Sequence, residues 1–345
     1  MSKIQQNESI DGSEPELVPE LDTATDGVAL TEPHTEPSVP RSRLRLYVGA
    51  LLILPFAYMA ICFFVMRTDF FLRQTQNMYL ANMGYGLRLR NADCQILVFG
   101  DSSAMEGVDP GILSKETGLS ACNIAEPAGV MRLNGTMVLD TYLKRNPRPK
   151  YLILFLSPNG MRPTWLHEGN YEAVLMRVRE RPDLGLLYAA IRHADDILSA
   201  IGTSGRFVLT WIVHSPLPES IVHKRDNNRG RYPDASERMT TCLTDARINP
   251  PSRDWVDQFR TRYSVEGTHV LVDATPVPDC DPAQTTYLRE FAPGTGIIDN
   301  RLEIYPTHWY TQSGHFHLGS SEGWGHLTAS IADQINTQQK AGQTR

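Results

Sequence analysis

The sequence predicts an α/β domain built on a doubly wound parallel sheet. Short uncharged runs rich in Val, Ile, Leu and Phe recur along the chain, and helical patterns separate them. This alternation is typical of parallel strands that are buried on both faces and joined by helices. Each run ends in a polar loop, and open α/β sheets bind their ligands at the carboxyl ends of the strands. The 345 residues, 41% of them hydrophobic, are sufficient for one large packed domain.

Four runs are predicted to be the strands of this sheet, and several stretches between and beyond them are predicted to be helices. Asp109 followed by Pro110 is typical of a helix N-terminus. Residues 163–250 interrupt the alternation, and we interpret them as a mostly helical insertion over one edge of the sheet. The predicted strands are 95–100, 120–125, 151–157 and 269–273, and the predicted helices are 109–118, 131–144, 253–263 and 323–336.

The N-terminal region differs in composition from the rest of the chain. Residues 1–40 contain nine acidic residues, five prolines and no aromatic residue, and such a segment buries too little apolar surface to offset chain entropy. Residues 1–43 are therefore predicted to be a disordered acidic tail. The 21 residues from Leu46 to Met66 carry no charge and would span about 30 Å as a helix. Residues 44–67 are accordingly predicted to be a transmembrane helix.

Charged residues around this run predict its orientation. Arginine is more frequent before the run than after it, and the positive-inside rule then favours a cytoplasmic N-terminus. The remainder of the chain would lie outside the cytoplasm. It is predicted to consist of a membrane-proximal linker with helical character at 68–92, a folded domain at 93–337 and a tail at 338–345.

Charge and residue spacing exclude several classes of partner. The whole chain has a net charge of −6. Because the tail carries −8 and residues 41–67 carry +4, the remainder carries only −2. A nearly neutral domain lacks the positive surface that nucleic-acid binding requires. No cysteine and histidine spacing is typical of a zinc site, and no glycine-rich phosphate loop is present, so the sequence implies no metal and no cofactor.

The exported part of the chain contains four cysteines, and an even number in an oxidising compartment permits disulfides with three alternative connectivities. Cys94 precedes the first predicted strand and Cys122 lies at the second. Their α-carbons would be neighbours if these strands are adjacent. We therefore favour the pairs Cys94–Cys122 and Cys242–Cys280.

The tripeptide Gly100-Asp101-Ser102 directly follows the first predicted strand. On its own, Gly-Asp-Ser is an ordinary turn sequence. Its place at the carboxyl end of a buried strand makes Ser102 the candidate nucleophile. Asp101 is expected to order the loop by accepting backbone hydrogen bonds.

Four features, in this order, resemble the sequence blocks of the SGNH (GDSL-like) hydrolase family. They are Gly-Asp-Ser after the first strand, Gly129 after the second, Asn159 after the third and a histidine cluster before the last helix. The resemblance covers residues 93–337 apart from the insertion. It is greatest to membrane-anchored bacterial members associated with exopolysaccharide acylation, and it implies a flavodoxin-like three-layer α/β/α fold.

The resemblance also implies roles for individual residues. Ser102 would attack an ester carbonyl, and the oxyanion would be bound by the backbone N–H groups of Ser102 and Gly129 and by the side-chain amide of Asn159. Two alternatives stay open. Ala125 could replace Gly129 as the second oxyanion position, and Asn159 could be a turn residue before Gly160.

The base would be a histidine in the segment before the last helix, which contains four. His317, followed by Leu318, fits the family pattern best, and His315 is the second candidate. His326 falls inside the predicted helix, which favours a structural role, and His308 could contact substrate.

One part of the family pattern is missing. The family places an aspartate three residues before the histidine, and Gly314 occupies that position relative to His317. None of the four histidines has a carboxylate there. Glu303 or Glu322 could substitute, or the domain has lost activity, because removal of the orienting acid costs orders of magnitude in rate.

Two functions from different classes follow. The first is a membrane-anchored serine esterase or O-acyltransferase of the bacterial inner membrane, acting in the periplasm or outside the cell on acyl groups, such as acetyl, of a surface or secreted polysaccharide. The second is a catalytically degenerate domain that binds polysaccharide or scaffolds an export complex. In either case the expected partners are the membrane, an acylated carbohydrate and polysaccharide synthesis or export proteins.

Overall fold

The computed structural model describes residues 41–74, 78–162, 171–180, 202, 221–232, 236–242, 248–265 and 267–343. The chain divides into two compact units, Met1–Leu52 and Ile53–Arg345. The sheet, the cores and the site described below belong to the second unit. Residues 1–40 of the predicted disordered tail (1–43) lie outside the described residues, and residues 41–43 are helical rather than disordered.

Helices and strands alternate along the described part of the chain, and α1 begins in the first unit and ends in the second. The helices are α1 (Arg41–Met66), α2 (Asp69–Gln74), α3 (Met78–Arg88), α4 (Ser102–Gly107), α5 (Pro110–Thr117), α6 (Ala128–Asn134), α7 (Met137–Arg145), α8 (Tyr171–Glu180), α9 (Ile221–Asn227), α10 (Arg253–Tyr263), α11 (Gln284–Glu290) and α12 (Ser321–Gln343). The strands are β1 (Ile96–Gly100), β2 (Ala121–Asn123), β3 (Tyr151–Leu156), β4 (His269–Ala274), β5 (Val277–Pro278), β6 (Ile304–Tyr305), β7 (Tyr310–Thr311) and β8 (Gly314–Leu318).

Strands β1 to β4 form one parallel sheet in the order β2-β1-β3-β4. In its register, Val98 of β1 lies between Asn123 of β2 and Ile153 of β3. Every residue of β1, β2 and β3 is buried. The sequences of β1 and β3 are accordingly uncharged and apolar throughout rather than alternating, whereas β2 ends in the buried polar residue Asn123. The prediction of an α/β domain with a parallel sheet is confirmed.

The sheet separates two hydrophobic cores. Leu97 and Phe99 belong to the first core, whereas Ile96 and Val98 belong to the second, as the two-residue period of a strand requires. Buried side chains of α3, α7 and α10 complete the first core, and those of α4, α5 and α12 complete the second. Both faces of the sheet are thus covered by helices.

Residues 69–88 belong to the domain and are not a linker. Helices α2 and α3 contribute side chains to the first core that are at most 1% exposed, namely Phe71, Leu72, Leu80, Met83 and Leu87. Removal of this much apolar surface from water stabilises the domain by about 1.5–3 kcal/mol for each large side chain. The predicted domain boundary at residue 93 is therefore wrong, and the folded part begins near residue 69.

The closing helix is longer than predicted. Leu327, Ile331 and Ile335 are buried in the second core, as their spacing predicts. The helix continues past residue 336 to Gln343, because the residues that follow include good helix formers and no proline. The predicted tail at 338–345 is therefore helical as far as Gln343.

Helix α1 contains the run that is predicted to cross a membrane. Several of its large side chains are more than half exposed, including Leu46, Leu51, Phe56 and Phe64. Among the residues that the structure describes, no helix combines the length and the hydropathy needed to span a membrane. The transmembrane role of residues 44–67 stays a prediction.

The predicted insertion is described only in part, chiefly as α8 and α9. Helix α9 is joined to β2 by Arg225, a fully buried side chain that donates to the carbonyl of Ala125 at 2.6 Å and to that of Gly230 at 2.6 Å. Burial lowers the pKa of this guanidinium to about 9. Most of the remaining insertion lies outside the described residues.

Two disulfides join segments that are distant in sequence. Cys94 pairs with Cys122 and Cys242 pairs with Cys280, each with α-carbons 5.6 Å apart. This is the connectivity that the sequence favours. The first bond ties the segment before β1 to β2, as expected for neighbouring parallel strands.

Gly100 provides a test of the close approach between β1 and β3. A Cβ at this position would lie 1.7 Å from the carbonyl oxygen of Phe155, so we expect Gly100→Ala to lower the free energy of unfolding by about 3 kcal/mol or more. Urea denaturation followed by circular dichroism measures the change. Gly325→Ala is the control, because a Cβ there meets nothing within 4 Å and alanine favours a helix by about 0.5–1 kcal/mol. Equal stability of Gly100→Ala and the wild type would contradict this account.

Candidate active site

Ser102 is the first residue of α4 and directly follows β1. Asp101 caps this helix and accepts hydrogen bonds from the backbone N–H of Ser103 at 3.0 Å and from its hydroxyl at 2.5 Å. The other oxygen of Asp101 accepts from the backbone N–H and the hydroxyl of Ser157, at 2.9 and 2.7 Å. Asp101 therefore orders the loops after β1 and β3, and its carboxylate is occupied by these bonds.

His317 is the histidine that contacts Ser102. It lies on β8, which forms an antiparallel pair with β7. Its Nε2 is 2.8 Å from the hydroxyl oxygen of Ser102, although the two residues are 215 positions apart in the sequence. This is the distance at which a base can take the proton of a hydroxyl nucleophile.

The carboxylate beside His317 comes from Glu106. Its Oε2 lies 3.1 Å from Nδ1 of His317, and its side chain is only 7% exposed. The hydroxyl of Ser313 lies 3.2 Å from the same nitrogen. Ser102, His317 and Glu106 therefore form a line of nucleophile, imidazole and acid with the relationships of a catalytic triad.

Helix geometry explains why Glu106 can reach this place. Residues four positions apart lie on the same face of a helix, so Ser102 and Glu106 project from α4 toward the same imidazole. The position three residues before His317 could not supply the acid in this arrangement. A Cβ at Gly314 would lie 2.5 Å from the ring of His317, so any side chain at 314 would displace the imidazole from its present position.

His315, the second candidate for the base, lies elsewhere. Its Nε2 is 2.6 Å from Oδ2 of Asp281, whose side chain is fully buried. His315 and His317 are two residues apart on β8 and therefore lie on the same face of the strand, but their imidazoles have different partners. Only His317 contacts Ser102, whereas His315 ties β8 to Asp281.

The other sequence candidates have different contacts. Nδ1 of His326 lies 2.9 Å from the hydroxyl of Tyr305. Glu322 accepts a hydrogen bond from the indole nitrogen of Trp309 at 3.2 Å. His308 lies in a short 3₁₀ turn beside that indole. The structure brings neither Glu322 nor His326 to His317.

Three groups are candidates to bind an oxyanion. The N–H of Ser102 and that of Gly129 are at the first and second positions of α4 and α6, where N–H groups have no intrahelical acceptor. The alternative, Ala125, is excluded because its N–H donates to the side chain of Asn123 at 3.0 Å.

The orientation of the Asn159 amide is determined by its neighbours. Its oxygen accepts from the backbone N–H of Asn249 at 3.0 Å and from the hydroxyl of Tyr287 at 3.2 Å. A backbone N–H can only donate, so the atom that faces it is the oxygen and not the nitrogen. The NH₂ group is thereby left to donate to another acceptor, as an oxyanion site requires.

Arg231 holds the C-terminal end of α4. Its Nε donates to the carbonyl of Glu106 at 3.0 Å, and its Nη1 lies 2.9 Å from the carboxylate of Asp109. The guanidinium also lies 3.8 Å from the centre of the Trp324 ring. Burial lowers the pKa of Arg231. These contacts attach the turn that carries Glu106 to both α5 and α12.

The sequence predicts the pairing of Ser102 with His317 but not the role of Glu106. The spacing of four residues between Ser102 and Glu106 equals about one helical turn, but the predicted helix begins only at Asp109, and the helix Ser102–Gly107 was not predicted. Comparison with protein-family models, with curated proteins and with solved structures finds no match for this chain.

Substitution of Glu106 tests its role beside the imidazole. We expect Glu106→Gln to reduce the rate of covalent labelling of Ser102 by a fluorophosphonate by about 10²- to 10⁴-fold, because the carboxylate would no longer stabilise the imidazolium. The rate is measured by mass spectrometry at fixed probe concentration, and circular dichroism checks the fold.

Glu322→Gln is the matched control, because Glu322 contacts Trp309 rather than His317. It should be labelled at the wild-type rate. If Glu106→Gln is labelled as fast as the wild type, or if Glu322→Gln is the slower variant, Glu106 does not support the histidine.

Proposed function

We propose that this protein is a serine esterase or O-acyltransferase of the SGNH type that acts on acyl groups of a carbohydrate. The single observation that carries the proposal is the line from Ser102 through His317 to Glu106, with distances of 2.8 and 3.1 Å. The side-chain amide of Asn159, whose nitrogen is available as a donor, supports the assignment of an oxyanion site.

The sheet topology supports the same proposal. In the order β2-β1-β3-β4, the chain runs outward from β1 to β2 and then returns to continue on the other side of β1. This arrangement is that of a doubly wound sheet, and its switch point lies between β1 and β3, where such sheets bind ligands. Ser102 follows β1 and Asn159 follows β3. The finer fold that we propose is therefore the flavodoxin-like three-layer α/β/α arrangement of SGNH hydrolases.

The reaction would proceed through an acyl-enzyme. The hydroxyl oxygen of Ser102 attacks the ester carbonyl while its proton passes to Nε2 of His317, and the carbonyl oxygen becomes an oxyanion held by fixed donors. His317 then gives the proton to the leaving sugar oxygen, and the carbon–oxygen bond breaks. Water or another sugar hydroxyl, deprotonated by His317, takes the acyl group from Ser102. The products are then a free acid or a newly acylated sugar.

The alternative, a degenerate domain that only binds polysaccharide, depended on the lack of an acid near the histidine. Glu106 occupies the position of that acid, which favours the enzyme. A scaffolding role for the N-terminal region in an export complex is compatible with either function.

Covalent labelling tests the proposal directly. We expect the full-length protein to react with a fluorophosphonate at Ser102, and we expect Ser102→Ala and His317→Ala to lose the adduct, because an unactivated hydroxyl is a poor nucleophile. His315→Gln should keep the adduct, since His315 contacts Asp281 and not Ser102. Peptide mass spectrometry locates the adduct.

A known serine hydrolase in the same reaction is the positive control. If that enzyme is labelled and the wild-type protein is not, or if the adduct survives in His317→Ala at the wild-type rate, the esterase proposal fails.

We also propose that residues 44–67 anchor the protein in a bacterial inner membrane, with the N-terminus in the cytoplasm and the domain outside it. The uncharged run and the exposed apolar side chains of α1 support this proposal. The two disulfides support an oxidising compartment.

Charge insertion tests the anchor. Each arginine at the centre of a membrane helix costs about 2.5–3.5 kcal/mol, so we expect the double variant Leu54→Arg, Ala57→Arg to move from the membrane pellet to the supernatant during alkaline carbonate extraction. The apolar double variant Leu54→Ile, Ala57→Leu should stay with the pellet. Release of the wild-type protein by carbonate would exclude a transmembrane anchor.

A further inference from the structure

A cavity of about 270 Å³ lies beside the candidate oxyanion site, between the loops that follow β1 and β3. Its lining includes Asp101, Ala128, Asn159, Arg162, Asn249 and Trp255. At about 30 Å³ for each water molecule, the cavity has room for roughly nine waters. The cavity therefore has room for a ligand group larger than a two-carbon acyl group.

Arg162 is a cation on the wall of this cavity. Its side chain donates a long hydrogen bond of 3.4 Å to the amide oxygen of Asn249, and within the described part of the chain no carboxylate forms a salt bridge with it. Other arginines differ in this respect, since Arg88, Arg145 and Arg260 each pair with an acidic side chain.

Among the described residues that line the cavity, Asp101 is the one that is acidic, and it does not neutralise the charge of Arg162. Asp101 accepts four hydrogen bonds from Ser103 and Ser157, and it is 3% exposed. Its charge is thus compensated by donors of the protein itself, whereas the guanidinium of Arg162 keeps donors for a ligand. A guanidinium is suited to bind a carboxylate through two parallel hydrogen bonds.

The cation is connected to the candidate reaction centre. Arg162 contacts the side chain of Asn249, and the backbone N–H of Asn249 in turn holds the amide oxygen of Asn159. A ligand group bound by Arg162 would therefore lie at a defined place relative to the oxyanion donor. The half-buried indole of Trp255 lines the same cavity and offers a rigid apolar surface with low entropy cost.

We propose that this cavity binds an acidic sugar unit of the glycan substrate, with the sugar carboxylate on Arg162 and the ring against Trp255. The proposal rests on the proposed esterase function in one respect, namely that the bound glycan is the substrate of the reaction. The binding itself needs neither Ser102 nor His317. The substrate class is accordingly an O-acylated polysaccharide that contains uronic acid, rather than a neutral one.

Calorimetric titration of the full-length Ser102→Ala protein in detergent tests this inference without catalysis. The probes are a tetramer of galacturonate and a neutral galactose tetramer. We expect the acidic tetramer to bind about 10- to 100-fold more tightly, the range expected for hydrogen bonds to a charged group. Arg162→Gln should abolish this preference and Arg162→Lys should restore part of it.

Two further titrations distinguish specific binding of the acidic sugar from general attraction of anions. Arg253→Gln removes an exposed arginine from the helix that carries Trp255, and it should leave the preference unchanged. Tetraglutamate is the probe for general attraction to anions, and it should bind no better than the neutral sugar. Equal affinity for the two sugar tetramers, an unchanged preference in Arg162→Gln, or binding of tetraglutamate as tight as that of galacturonate would each overturn the proposal.

The calorimetric test of sugar binding and the labelling test of the esterase proposal can each fail without the other. Absence of fluorophosphonate labelling together with a preference that depends on Arg162 would leave a binding protein for acidic glycans. Labelling without such a preference would leave an esterase with a different substrate.

Discussion

The site depends above all on the buried carboxylate of Asp101. An ionised group at 3% exposure is stable only if donors replace the water it has lost, and four hydrogen bonds from Ser103 and Ser157 do so. Two of these donors follow β1 and two follow β3. The same bonds therefore set the distance between Ser102, which is next to Asp101, and Asn159, which is two residues after Ser157.

A second set of contacts holds the histidine in place. The Cys242–Cys280 disulfide constrains the loop in which Asp281 follows Cys280, and Asp281 binds the imidazole of His315 at 2.6 Å. His315 and His317 are two residues apart and lie on the same face of β8. The contact of His315 with the covalently constrained loop therefore fixes β8 one strand repeat before His317, whose imidazole contacts Ser102. The rigidity of a site on a strand favours such precise placement.

The predictions from sequence succeeded where the signal is local. The cap at Asp109 and Pro110 is present, with the Asp109 carboxylate accepting from two backbone N–H groups, and the predicted limits of α10 agree with the structure. Prediction failed for α2 and α3, which were expected to be a linker. Their position directly after the predicted membrane span gave no indication that they pack on one face of the sheet. Prediction also failed between 131 and 144, where Gly135, at a φ of 57°, separates two helices.

The acid was missed for a different reason. The resemblance predicts an acid three residues before the histidine, whereas in the structure the carboxylate beside His317 belongs to the helix that carries Ser102. Triads are defined by geometry and not by order along the chain. Because Ser102 and Glu106 are held by one helical turn, the assembly of the triad requires only one long-range contact, that of β8 with α4. Gly314 allows this contact, since the absence of a side chain there lets the imidazole lie against the β8 backbone. Gly314 and Glu106 are thus two parts of one arrangement, in which a helix residue supplies the carboxylate and the absence of a side chain on the strand leaves room for the imidazole.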